Sequence, residues 1–205
     1  YKMIIENHSF GPLLSKMTVE KNDLEKVIHL FKDSSECFKN NLVGHFRTEF
    51  RVDEKSYQNI LYKYIECYRK NCENYYSTRI ANLKVTSAWV NFMKKGDFNP
   101  HHVHFGCDFS SVLIIKTPDQ LKKEAEDYYK NSSSIDRTNG PGSLQFCYGE
   151  SLDNNLVFRS YEPKEGDFYI FPNWLFHSVN PFKSDGDRIS VAANIKKGEF
   201  NDQTV

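Results

Sequence analysis

Three histidines crowd into the run Asn99-Pro100-His101-His102-Val103-His104, and another, His177, stands alone in an apolar stretch far downstream. His102 and His104 are two residues apart. On an extended chain that spacing puts both imidazoles on one face. Imidazole is a good donor to iron, zinc, copper or nickel. A polar loop that merely contains histidines would look the same, so the pair alone does not decide. His177 follows Phe171-Pro172-Asn173-Trp174-Leu175-Phe176. A buried histidine needs a partner for each ring nitrogen, and either a metal or a core hydrogen bond can serve.

A second chemistry follows in Asp187-Arg188-Ile189-Ser190-Val191-Ala192-Ala193-Asn194-Ile195. Read with a period of two, Ile189, Val191, Ala193 and Ile195 share one face. Arg188, Ser190 and Asn194 share the other with Ala192. A guanidinium fork and a hydroxyl on the same side of a strand make a carboxylate site. An edge strand with one solvated side is the alternative. The same parity groups Trp89, Asn91 and Met93, so Asn91 either faces that cavity or lies on the surface.

These residues need elements to hold them. Leu24, Val27, Ile28 and Phe31 are spaced as one face of a helix, with Asn22 and Glu25 as a capping box. Tyr57, Ile60, Leu61, Tyr64, Ile65 and Tyr68 mark a second, longer helix that Asp53 can cap. From about residue 80 the period changes to two. Strands are expected near 83–93, 109–116, 143–149, 156–162, 167–171, 175–181 and 187–196. Turn sequences such as Asn139-Gly140-Pro141-Gly142 and Lys164-Glu165-Gly166-Asp167 separate them. The polar insertion at 117–138 carries a short helix over 120–129. Many short strands after two helices predict a mainly β (α+β) jelly roll, covered on one face by the helices. One domain is expected over residues 1–205, helical to about 80 and jelly roll over about 81–198.

Lysine plus arginine equals aspartate plus glutamate, giving a formal charge of zero. This is not the basic excess of an electrostatic nucleic-acid binder. No apolar run is long enough to span a bilayer and no basic-then-apolar leader opens the sequence. The five cysteines are odd in number and form no C-x-x-C pair. Neither a disulfide framework nor a thiolate zinc site is expected, and the simplest compartment is a reduced, cytoplasmic one.

His-x-[Asp/Glu/His], a distal His and then Arg-x-Ser is the order found in Fe(II)/2-oxoglutarate dioxygenases. Trp89-Val90-Asn91, Gly96-Asp97-Phe98-Asn99-Pro100-His101-His102-Val103-His104 and Phe171 to His177 resemble the prolyl-hydroxylase-like oxygenases of marine bacteria and their phages. Asn41-Leu42-Val43-Gly44-His45-Phe46 is similar to the N-terminal region of that group. The resemblance implies a double-stranded β-helix and a hydroxylase that uses Fe(II), 2-oxoglutarate and O₂. His102, His104 and His177 would bind iron, Arg188 and Ser190 would bind the distal carboxylate of 2-oxoglutarate, and Asn91 would contact cosubstrate or substrate. The substrate would be a peptide or protein, with prolyl hydroxylation the first expectation, or a small molecule.

Two departures stand out. The usual second ligand is a carboxylate; here His104 holds that place, with Asp108 as the alternative. A tyrosine usual on the strand after the first ligands is replaced by Leu113-Ile114-Ile115, leaving Tyr148 and Tyr169 as candidates for its role. The stretch 117–142 is a candidate lid. Three rival readings remain. One is a cupin-like three-histidine dioxygenase, which would have no use for Arg188-x-Ser190. The others are an inactive jelly-roll binding module and a structural virion or interaction protein.

Overall fold

A computed structural model describes residues 11–32, 48–131, 140–150 and 157–199. The segment Asn41 to Phe46, residues 132–138 of the polar insertion, Asn139 of the turn after it and Cys37 lie outside the described residues. In chain order the elements are β1 (Ser15–Thr18), α1 (Lys21–Phe31), β2 (Thr48–Arg51), α2 (Glu54–Tyr76), β3 (Leu83–Met93), β4 (Asn99–His102), β5 (Phe109–Lys116), α3 (Leu121–Asn131), β6 (Leu144–Cys147), β7 (Phe158–Tyr161), β8 (Asp167–Pro172), β9 (Phe176–Val179) and β10 (Arg188–Lys197).

The strands form a six-stranded sheet in the order β1-β8-β5-β10-β3-β2 and a four-stranded sheet in the order β4-β9-β6-β7. Every pairing is antiparallel. This is the jelly roll expected of the alternating second half.

Two apolar layers follow from the period-two pattern. One lies between α1, α2 and the larger sheet. Val27 and Phe31 of α1 and Tyr57, Leu61, Ile65 and Tyr68 of α2 meet Leu83, Val85, Phe109, Leu113, Phe168, Val191, Ala193 and Ile195 there. The other lies inside the roll, where Met93, Val112 and Ile114 meet Leu144, Phe146, Tyr169, Phe171 and Val179. Burying each valine, leucine, isoleucine, phenylalanine or methionine among them contributes about 1.5–3 kcal/mol.

The helix ends follow local chemistry. Asp53 caps α2, accepting the Ser56 N–H at 2.8 Å. The capping box predicted for α1 does not form: the helix starts at Lys21, with Glu20 at the N-cap and no side-chain cap bond. Glu20 instead pairs with Lys63 of α2 at 2.8 Å, and Lys63 also reaches Asp23 at 3.0 Å. An ion-pair cluster thus joins the two helices in place of a cap. α3 begins and ends slightly later than predicted, and Glu124 ties it to the loop before β10 by accepting the N–H groups of Lys183 (2.8 Å) and Ser184 (2.7 Å).

Three strands have no counterpart in the sequence expectation: β1, β2 and β4. Each has only four residues, and none carries the apolar, β-rich run that marked the equally short β6 and β9. In β4, Pro100 removes a ladder donor, which suits an edge strand. The β4–β9 register is accordingly irregular between Asn99 and His102. No helix among the described residues is long and apolar enough to cross a membrane.

The packing of α2 gives a graded expectation. Leu61→Ala, fully inside the helix–sheet layer, should lower the unfolding free energy by about 2–5 kcal/mol. Asp53→Ala should lower it by about 1 kcal/mol. Denaturant unfolding measures both, and equal small losses would contradict the packing of α2 on the sheet.

Candidate metal and carboxylate site

The short edge strand β4 pairs with β9 so that His102 stands opposite His177. His104 lies just beyond β4, where the chain leaves the sheet, and its backbone is gripped from both sides. Its N–H donates to the Asn173 carbonyl at 3.0 Å, and the Asn173 side-chain amide donates to the His104 carbonyl at 2.9 Å. Asn173 sits in the turn between β8 and β9, so one turn holds His104 and leads directly into His177.

The structure brings His102, His104 and His177 together, with one ring nitrogen of each within 4.8 Å of the others. Their other nitrogens are already engaged. His102 Nδ1 lies 2.7 Å from the Pro100 carbonyl, His177 Nδ1 3.0 Å from the Leu175 carbonyl, and His104 Nδ1 2.7 Å from Asn194 Oδ1. The two carbonyls only accept hydrogen bonds, and Asn194 presents its oxygen. Each Nδ1 therefore carries the proton, and each Nε2 keeps a lone pair for a metal. Trp89 stacks on His104 with ring centroids 5.7 Å apart, and Phe171 lies edge-on to His177 at 4.7 Å.

Burial keeps the imidazoles neutral. Desolvation pulls His104 down to about 4, with the neighbouring His102 adding to the effect. It also holds His177 well below the ordinary imidazole range, assisted by His102 and His104, and lowers His102. A neutral imidazole is the form that binds metal. Asp108 does not join the cluster. Its Oδ2 accepts the backbone N–H of Lys197 at 2.8 Å, at the far end of β10.

On the same inner face of β10 lies Arg188, completely buried. Nε donates to the Gly142 carbonyl at 3.1 Å, and Nη1 to Ser190 Oγ at 3.4 Å and Met93 Sδ at 3.6 Å. Nη2 has no partner. No carboxylate pairs with this guanidinium among the described residues. Burial lowers its pKa to about 10. A buried cation without a counter-ion is costly, and a ligand carboxylate would relieve that cost. Gly142 positions the carbonyl partner with φ of 65°, and a Cβ there would come 3.1 Å from Leu121.

Asn91 stands opposite Ser190 in the β3–β10 register, and its Oδ1 is buried without a partner. Its amide can turn to present either an acceptor or a donor. Of the two tyrosine candidates, Tyr148 is half-exposed against Trp174. Tyr169 is buried inside the roll and donates to Asp167 Oδ2 at 3.1 Å, which also meets Lys16 at 2.8 Å. Only Tyr169 is on the interior side.

Sequence reasoning did not find Asn173, Gly142 or the bond from His104 to Asn194. For Asn194 a signal existed, since it shares parity with Arg188 and Ser190. Asn173 and Gly142 lie in turns, where no periodicity reports direction.

Three neutral imidazoles and, on the face of β10 that reaches them through Asn194, a buried guanidinium without a counter-ion among the described residues fit a divalent transition metal and a chelating dicarboxylate. The family model described as "Putative 2OG-Fe(II) oxygenase" matches residues 87–194, more than half of the 205-residue chain. No curated protein matches by sequence. Among solved structures, an oxidoreductase of the 2OG-Fe(II) oxygenase family from Burkholderia pseudomallei is similar at TM-score 0.58 and 12% identity, covering 94% of this chain and 89% of that one. A viral collagen prolyl hydroxylase from Paramecium Bursaria Chlorella virus-1, in a 2OG complex, gives 0.54 at 14% identity, covering 91% and 96%. A prolyl hydroxylase from Trichoplax adhaerens, bound to a hypoxia inducible factor oxygen degradation domain peptide fragment, gives 0.56 at 12%, covering 90% and 83%. These likenesses are of fold; the family match extends them to chemistry. The chain belongs to the 2OG-Fe(II) oxygenase family and is an oxygenase that uses Fe(II), 2-oxoglutarate and O₂.

Proposed function

We propose that this oxygenase is a hydroxylase of prolyl residues in a peptide or protein, with iron on His102, His104 and His177 and the distal carboxylate of 2-oxoglutarate on Arg188. The observation that carries the site assignment is the buried guanidinium with an unpaired Nη2, on the face of β10 that also reaches the histidine cluster. Ser190 adds a hydroxyl beside it, and Asn91 supplies an amide from the neighbouring strand. The whole chain acts as one domain, its helical part backing the larger sheet.

Bound iron, with 2-oxoglutarate and O₂, supplies the oxidation that replaces a C–H bond by C–OH, with succinate and CO₂ as coproducts. The chain's residues bind, orient and exclude water. Arg188 neutralises one carboxylate and fixes the direction of the keto acid. Phe146, Phe171 and Trp89 surround the imidazoles with apolar surface. The three protein ligands carry no charge, so the negative charge around the metal comes from the cosubstrate rather than from an aspartate.

Two observations support a prolyl substrate. Relatives in fold include prolyl hydroxylases, one of them bound to a peptide. The segment leading into His177 also presents Trp174 at 49% and Phe176 at 51% exposure, with Tyr148 against Trp174. Proline-rich segments dock on such aromatic surfaces.

Anaerobic titration of the Fe(II) protein with 2-oxoglutarate should give the weak visible absorption of an iron–keto-acid chelate. Arg188→Ala should weaken binding by about 30-fold or more, the lower end for removing one partner of a buried charged pair. Iron binding without this absorption in the unmodified protein would favour a three-histidine oxygenase that does not use 2-oxoglutarate. For the substrate, a proline-rich peptide should gain one oxygen by mass in step with succinate release; succinate without an oxidised peptide would exclude prolyl hydroxylation of that peptide.

The neutral cluster also fixes a pH dependence. In the metal-free protein, an unfolded chain protonates these histidines below about 6.5, whereas folded His104 resists to about 4. This contribution to stability is therefore complete above that window and is lost as pH falls through it. In His104→Gln the loss should be shallower, by at most ~1.4 kcal/mol per pH unit. Denaturant midpoints measured from pH 7 to 4.5 test this, and identical slopes would contradict a neutral buried His104.

A further inference from the structure

The ligand that departs from the family pattern is also the one held differently. His102 and His177 give their Nδ1 protons to backbone carbonyls two residues before them in their own strand segments, Pro100 and Leu175. Those acceptors are fixed by the backbone. His104 gives its proton to a side chain, Asn194, ninety positions away on β10. We propose, resting on the three-histidine centre above, that Asn194 is the positioning residue for His104: it selects the Nδ1–H tautomer and aims Nε2 at the metal.

The surroundings of Asn194 are built for this. Parity places it on the inner face with Arg188 and Ser190, and the register puts it between Ser87 of β3 and Ser110 of β5. At this residue the β3–β10 ladder slips: Asn194 pairs with Ser87 and Ile195 with Val85, leaving Thr86 as an extra residue. Thr86 Oγ1 donates to the Asn194 carbonyl at 3.3 Å across the slip. Such bulges re-aim side chains beside active sites. Trp89 stacks on His104, and the Asn173 clamp fixes its backbone. What remains is the choice of tautomer and the final ring angle, and Asn194 Oδ1 sets both.

Removing such a partner typically weakens metal binding 10–100-fold. Co(II) is a suitable probe, because a ring N–H on a cobalt-bound imidazole gives a strongly shifted proton resonance that exchanges with water. The unmodified protein should show three such resonances, one for each Nδ1–H. Asn194→Leu should show two, with Co(II) affinity lowered 10–100-fold. Asn194→Asp, which keeps the acceptor, should restore the third resonance and hold affinity near that of the unmodified protein. Where Asn194→Leu does not fold, Asn194→Ala should give the same two-resonance pattern. Three resonances with unchanged affinity in Asn194→Leu or Asn194→Ala would overturn the inference, as would an Asn194→Asp protein as weak as Asn194→Leu. Co(II) bound without any shifted ring N–H in the unmodified protein would instead refute the three-histidine centre, and this inference with it.

Discussion

Strand β10 runs between β3 and β5, so its side chains have two destinations: the helix-covered layer or the inside of the roll. The strict alternation of an extended chain then separates two kinds of work. Val191, Ala193 and Ile195 help to build the layer that secures α1 and α2. Arg188, Ser190 and Asn194 face inward, the buried guanidinium at one end and the bond to the histidine cluster at the other. A one-residue slip would exchange these sets, burying polar groups under the helices. The apolar face is thus what sets the register of the functional one.

The site combines rigid and adjustable support. Two of the three imidazoles lean on their own backbone, while the third depends on contacts from β10, β3 and the β8–β9 turn. That difference follows from where the chain runs. His102 and His177 are within paired strands, where the backbone fixes direction. His104 lies past the end of β4, where neighbouring elements must supply what the ladder no longer does.

Much of this was legible in the sequence because alternation encodes direction. The inner face of β10 and the shared parity of Trp89, Asn91 and Met93 followed from counting by two, and long helices followed from counting by 3.6. The strand β4 was not legible, since Pro100 and the polar Asn99, His101 and His102 around it hide it. Nor was the true start of α1, because an ion pair with Lys63 on another helix displaced the local capping pattern. Asn173 could not be found by pattern, since turn residues point where the turn sends them. The tyrosine question needed three dimensions: Tyr148 and Tyr169 look alike in sequence, yet one is on the surface and the other inside the roll.

A pocket of three neutral imidazoles has no hard anionic donor to favour iron. For nitrogen donors, affinity among divalent metals rises from manganese through iron to nickel and copper, with zinc also above iron. If the three histidines hold the metal as proposed, and no 2-oxoglutarate is bound, the centre at equilibrium with a mixture would fill with copper, nickel or zinc before iron. Loading such a centre with the Fe(II) that the oxygenase uses would then depend on metal supply in the cell, and on the history of the sample in the laboratory. Protein purified on a nickel resin begins its life in the test tube with the wrong metal in competition for the right place.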